Sequence, residues 1–189
     1  MSEVQRATVA YPGGLAARYR WGGSGSADEV FALSEEGGAL TDHAELAGGD
    51  PVRMCRAELR VEGPLGDWTA RFASPVFDQP AGLLWDVHMQ LVVKYGFRVY
   101  ALAARSGELR WSHLSGTPIV AVLGSPRIDH VIVQSEVETV ALGPTGETRW
   151  RVAQSDVVAS AELVGGTLTL LSYGGDVAAL DPASGRPLS

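Results

Sequence analysis

The 189-residue chain contains a single cysteine, Cys55, which excludes an intramolecular disulfide. Met54 and Ala57 beside it read as a half-buried strand, where a thiol behaves as a small hydrophobe rather than a nucleophile. Lysine is as scarce: Lys94 is the only one, and the other basic residues are arginines scattered along the chain. With a net charge of −7, that scatter argues against a phosphate-backbone partner, and no nucleic acid is expected. No apolar run approaches the ~18–20 residues of a membrane helix, so no membrane partner is expected. The first residues, Met1-Ser2-Glu3-Val4-Gln5-Arg6, lack the apolar stretch of a secretion signal, which makes a cytoplasmic location the expectation. Helical periodicity is hard to find anywhere.

What the chain does have is a hydrophobic content of 46% with 20% charged residues, the balance of a globular domain, and an internal repeat. Ala101-Leu102-Ala103-Ala104-Arg105-Ser106-Gly107-Glu108-Leu109-Arg110-Trp111 is followed by Ala141-Leu142-Gly143-Pro144-Thr145-Gly146-Glu147-Thr148-Arg149-Trp150, and then by Ala179-Leu180-Asp181-Pro182-Ala183-Ser184-Gly185. Leu102 and Leu142 are 40 residues apart, and Leu142 and Leu180 are 38 apart. Such a period marks one supersecondary unit stacked repeatedly, because a single small sheet cannot bury its apolar face alone.

Between the motifs lie short β-branched runs: 90–95, 130–134 and 167–172. Each is followed by a short break and another strand, at 98–102, 138–142 and 177–180, and then by a glycine-bearing turn and a tryptophan-bearing strand. The unit over 118–153 reads as four strands, at 119–123, 130–134, 138–142 and 148–153. Four antiparallel strands in about forty residues is one propeller blade. The fold class is therefore all-β, a small β-propeller of about four four-stranded antiparallel blades in a single domain. The blades are placed at about 15–75, 76–115, 118–153 and 157–180. Strands at 16–21, 29–33, 54–61 and 68–72 are expected for the first blade, with 34–51 as an inserted loop.

The last unit shows only three strands. Val4-Gln5-Arg6-Ala7-Thr8-Val9-Ala10 alternates like a strand, and the stretch 3–10 is the candidate for the fourth, closing the ring from the other chain end. A ragged N-terminal tail is the alternative. A half-ring that pairs with a second copy, a homodimer, is the competing architecture.

The pattern from Ala101 to Trp111 resembles the tryptophan-docking repeat of the pyrroloquinoline-quinone-type β-propellers, a PQQ-like and broadly WD40-like repeat. Ala101, Ser106, Gly107 and Trp111 match it, with Ala103 where the family usually has Asp or Asn. Ala141, Gly146 and Trp150 match in the second copy. Ala179, Asp181 and Gly185 match in the third, with Ser189 where tryptophan would stand. The resemblance covers roughly residues 80–189. It implies that Trp68, Trp111 and Trp150 pack between blades. Quinoprotein dehydrogenases of the family are larger, with eight blades, a calcium held by carboxylates and an adjacent-cysteine disulfide. This chain matches none of those features, so the resemblance implies the non-catalytic branch and no cofactor.

Chemistry is sparse. The four histidines, His43, His88, His113 and His130, show no metal-ligand spacing, so no metal is expected. Asp86 and His88 would share a strand face and form half of an acid–base or metal site. The working surface of a propeller is instead the loop face around its channel. Tyr95, Phe97 and Arg98 fall there in one unit, Glu136 in the next, and Tyr173 and Asp176 in the last. The favoured function is a non-enzymatic interaction module that binds a protein partner through those residues. A ligand-binding or enzymatic propeller using Asp86 or His88, and a structural subunit that completes a larger ring by self-association, are the rivals.

Overall fold

The computed structural model describes residues 3–23, 40–41 and 54–189. Among the described residues there are sixteen strands: β1 (Gln5–Tyr11), β2 (Leu15–Gly22), β3 (Leu40–Thr41), β4 (Cys55–Glu62), β5 (Trp68–Ser74), β6 (Ala81–Trp85), β7 (Gln90–Tyr95), β8 (Arg98–Ala103), β9 (Leu109–Leu114), β10 (Ile119–Leu123), β11 (Val131–Ser135), β12 (Glu138–Leu142), β13 (Thr148–Ala153), β14 (Val158–Val164), β15 (Thr167–Ser172) and β16 (Val177–Leu180). They form four sheets, ordered β1-β2-β4-β5-β3, β6-β7-β8-β9, β10-β11-β12-β13 and β14-β15-β16. Neighbours pair antiparallel, except that β3 lies parallel to β5. The sheets are the blades of a small β-propeller.

Burial follows from the stacking. A middle strand of a middle blade is covered on both faces, and β7 and β11 are buried at every position. The outermost strands β9 and β13 are mostly exposed or half-buried. One apolar cluster joins the first and second blades through Tyr19, Leu59, Phe72, Leu91, Tyr95 and Tyr100. A second joins blades two and three through Val92, Val99, Ala101, Val131 and Val140. Ile132, Val158, Leu168, Leu170 and Leu180 form a third, between blades three and four. The β-branched residues of the repeat thus face both neighbours, giving near-continuous hydrophobic runs instead of strict alternation.

Each tryptophan-bearing strand reaches over the next blade. Trp68 Nε1 donates to the Ala104 carbonyl and Trp111 Nε1 to the Pro144 carbonyl, both at 2.9 Å. Their indoles lie on Gly107 and Gly146, whose φ angles of 71° and 84° require glycine. Trp150 lies on Gly185 in the same way, but the carbonyl of Pro182 there accepts from His130 Nε2 at 2.8 Å. His130 meets Trp150 edge-on, with ring centroids 5.9 Å apart.

The N-terminal segment does not close the ring. β1 pairs along its whole length with β2, from Gln5 opposite Trp21 to Tyr11 opposite Leu15. Gly13 and Gly14, with φ of 84° and 78°, make the tight connection, so the local hairpin wins over a distant pairing. The first sheet is accordingly built on 5–22 and 55–74. Leu40–Thr41 lies on its outer edge, while the strand expected over 29–33 and the rest of the 34–51 stretch lie outside the described residues. The missing fourth place of the last blade is begun by the chain's own C-terminal residues. Leu180 bridges to Pro187, Leu188 N donates to the Ala179 carbonyl, and Asp181 N donates to the Arg186 carbonyl, both at 2.8 Å.

Candidate functional site

At one end of the blades, the turn between the second and third strands of the second, third and fourth blades is bonded by its backbone to a linker between blades. Gly96 O accepts from Ile119 N at 2.8 Å, and Phe97 O from Ser115 N at 2.8 Å. One unit later, Glu136 O accepts from Val158 N at 2.7 Å and Val137 O from Gln154 N at 2.8 Å. The last turn is tied by Tyr173 N donating to Val157 O at 2.9 Å. These bonds fasten turns and linkers into one continuous loop face. Its N-terminal part is further held by Asp78, which takes two bonds from Lys94 Nζ, at 2.8 and 2.9 Å, and one from Gly96 N at 2.7 Å. The only lysine of the chain is thereby a nearly buried, paired charge.

The residues named from the sequence divide on this face. Tyr95 is 1% exposed and packs in the core beside Phe72, at a centroid distance of 6.3 Å, so it cannot touch a partner. Burial pushes its hydroxyl pKa up, with Cys55 and Asp78 adding to the effect. Phe97 and Arg98 are half-buried, and Arg98 Nη1 donates to Ser112 Oγ at 2.8 Å. Glu136 is half-buried, with its backbone N and O both engaged between blades. Tyr173 is 76% exposed, and Asp176 is exposed beside it.

Four exposed apolar side chains of the same face escape a reading of the sequence. Phe77 (54% exposed) lies in the linker from blade one to blade two, Leu114 (51%) at the start of the next linker, Val157 in the third, and Val137 in the second turn. Pro75 and Pro80 around Phe77 signal a loop, but the residue type alone fits core and surface equally. Acidic residues stand among these side chains, while the basic Arg98, half-buried, lies opposite Leu114. Asp156 accepts from Val157 N at 2.7 Å, and this bond, with one from the Ser172 hydroxyl, holds its carboxyl below the usual range. Glu136 and Asp176 flank it along the chain's turns.

The opposite end of the second and third blades carries a cleft of about 580 Å³, lined by His88, Gln90, Arg105, Arg110, Trp111 and Pro144 among others. Asp86 and His88 do not act there as a pair. Residues 86–88 form a 3₁₀ turn instead of continuing the strand, and Asp86 Oδ1 accepts from Val87 N at 2.8 Å. The His88 ring stands edge-on to Trp85 at 4.5 Å. Among the described residues, no three His, Cys, Asp or Glu side chains group as metal ligands, and no helix is long and apolar enough to cross a membrane.

Residues 96–188 match the family model described as outer membrane protein assembly factor BamB. No curated protein matches the chain by sequence. Among solved structures it is similar to BamB from Moraxella catarrhalis, at 13% identity and a TM-score of 0.56, over 99% of this chain and 65% of that one. Dihydro-heme d1 dehydrogenase NirN in complex with DHE gives the same identity and TM-score, over 74% of this chain and 34% of that one. The WD40 domain of Toxoplasma gondii coronin follows at 8% identity and 0.52, over 72% and 42%. The chain spans less than two thirds of each, and one of the three is an enzyme, so these likenesses carry the fold alone. By its stacked sheets the chain is a small β-propeller, and its residues 96–188 carry repeats similar to those of the pyrroloquinoline-quinone type.

Proposed function

We propose that this protein is a non-enzymatic interaction module that holds a protein partner on its loop face. The observation that carries the reading is the gathering of Phe77, Leu114, Val137, Val157 and Tyr173, all exposed, on turns and linkers that the blades fix at one end. Exposed apolar side chains on a rigid scaffold, bordered by polar residues, are the composition of a contact surface. The acidic border of Glu136, Asp156 and Asp176 favours a partner with an apolar centre and a basic rim. Propellers of the BamB and WD40 types commonly serve protein interaction, which agrees with this reading. The placement differs from the one drawn from the sequence: Tyr95 drops out, and Phe77, Leu114, Val137 and Val157 join Tyr173 and Asp176.

The test is capture from an extract of the native organism by the wild-type chain and by two folded variants. Phe77→Ser/Tyr173→Ala is expected to lose the captured protein. Val87→Ser, exposed at the opposite end of the second blade, is expected to retain it. Added salt is expected to weaken capture, because the border charges are solvent-exposed. Undiminished capture by the Phe77→Ser/Tyr173→Ala variant would sink the proposal.

A further inference from the structure

Blades two and three make the same contact to the turn of the blade after them, but they complete it differently. Gln90 and His130 hold equal places, directly before Leu91 and Val131, which pair with Leu102 and Leu142 of the repeat. Gln90 Nε2 donates to the Pro144 carbonyl at 2.9 Å, as His130 Nε2 does to the Pro182 carbonyl at 2.8 Å. The second nitrogen of His130 meets Asp129 Oδ1 at 3.3 Å. Gln90 has no such second neighbour: its side chain is 8% exposed, and its Oε1 is buried without a donor. A buried acceptor ordinarily has a partner, because leaving it unpaired loses the hydration it had in water.

Gln90 is the most buried polar side chain lining the cleft of about 580 Å³ between these two blades, a volume that suits a small molecule. Met89, Ala103, Trp111 and Pro144 give the cleft an apolar wall. Its charge comes from Arg105 and Arg110, and no carboxylate is in the lining, in a chain with 22 acidic residues. Arg110 pairs with Glu108 at 3.5 Å, both exposed, whereas Arg105 has no ion pair among the described residues. Ala183 takes the place of Arg105 in the last repeat, so this charge is no part of the pattern that folds the blades. All lining residues come from 88–111 and 144–145, within one unbroken described stretch.

Met89, at φ 51°, is the one non-glycine residue with positive φ among those described. The matching turn of the last blade uses Gly165 and Gly166, with φ of 60° and 82°. Blade two therefore keeps a side chain on the cleft where the backbone favours glycine. The backbone N–H groups of the lining are already engaged: Met89 N with Asp86 O at 3.0 Å, Ser106 N with Ala103 O at 3.2 Å, and Thr145 N with Glu147 Oε2 at 3.1 Å. The nest of N–H groups that suits a phosphate is thus not offered.

We propose that this cleft binds a small hydroxylated carboxylate of the sugar-acid class. The carboxylate pairs with the Arg105 guanidinium, whose planar fork matches its two oxygens. A ligand hydroxyl supplies the donor that Gln90 Oε1 lacks, and the ligand's C–H groups lie against Met89, Ala103 and Pro144. The cleft is at the end opposite to the loop face, so this site does not rest on the partner binding proposed above.

The test is nuclear magnetic resonance of the isotope-labelled full chain titrated with glucuronate. Glucose, acetate and inorganic phosphate probe hydroxyls alone, a carboxylate alone and a bare oxyanion. Glucuronate is expected to move the Gln90 side-chain amide and Trp111 indole N–H signals saturably, and the other three to bind at least about tenfold more weakly. Arg105→Ser should raise the glucuronate Kd at least about tenfold, read at Trp111, and Gln90→Met should raise it likewise. Arg105 is exposed, so its variant keeps the fold and decides the matter even if Gln90→Met lowers the unfolding midpoint. Val164→Ser, on the last blade, should bind as the wild type does. Glucuronate that moves neither signal, any of the other three probes binding as tightly, or an unchanged Kd in Arg105→Ser would overturn the proposal.

Discussion

At the scale of single residues, histidines and tyrosines show where chemistry in the sequence becomes structure in the fold. His130 has no partner at metal-ligand spacing in the sequence; in the fold it is 4% exposed and bonded to a carbonyl of the next blade. Tyr95 sits next to a turn glycine, which reads as a loop tip, yet its side chain turns inward onto Phe72. The sequence shows the turn but not the face to which the flanking residue points, because a one-residue shift in where a strand ends inverts that face. His113 offers a measurable consequence. Burial and the nearby Arg151 guanidinium lower its pKa in the fold from the ordinary 6.5. The unfolded chain therefore takes up a proton on this residue at higher pH than the folded chain does, and stability falls as pH drops below about 6.5. Urea midpoints between pH 7.5 and 5.5, on approximate settings around that value, should decline in the wild type and decline less in His113→Gln. The depressed carboxylates, such as Asp156 and Asp181, act in the same direction only in the acid range below about 4. An unchanged slope in His113→Gln would show that the imidazole does not carry the effect.

At the scale of elements, most strands were legible because their signal is local. β7, β9, β12, β13, β15 and β16 run between the residues at which β-branched periodicity and turn chemistry set them. What was not legible was long-range choice, namely which partner β1 takes. A strand of seven residues can pair with any free edge, and only the short glycine turn after it favours β2. The repeat's glycines make the opposite case, for they serve both the turn and the neighbouring blade. Gly13 and Gly107 have similar φ, 84° and 71°, so alanine at either meets the left-handed penalty of about 1–2 kcal/mol. At Gly13 an added Cβ finds nothing within 4 Å, whereas at Gly107 it collides with the Trp68 indole. Gly13→Ala should thus cost about 1–2 kcal/mol in chemical unfolding. Gly107→Ala should cost more, roughly 3 kcal/mol or above, since Trp68 must also shift. Equal costs at the two positions would mean that the tryptophan is not seated on the turn.

At the scale of the whole molecule, stability should be distributed as the blades are covered. The middle strands of blades two and three are buried on both faces, those of the last blade on one. Opening of β16 exposes little that is not already in water, whereas opening of β8 or β11 breaks apolar contacts with two neighbours. Native-state hydrogen exchange should therefore place the amides of Val92, Val99, Ile132 and Val140 at the slow limit set by global unfolding. Those of Leu171, Ala178 and Ala179 should open at lower free energy. Equal protection across β7, β11, β15 and β16 would show that the two-sided cover of the middle blades does not set their stability.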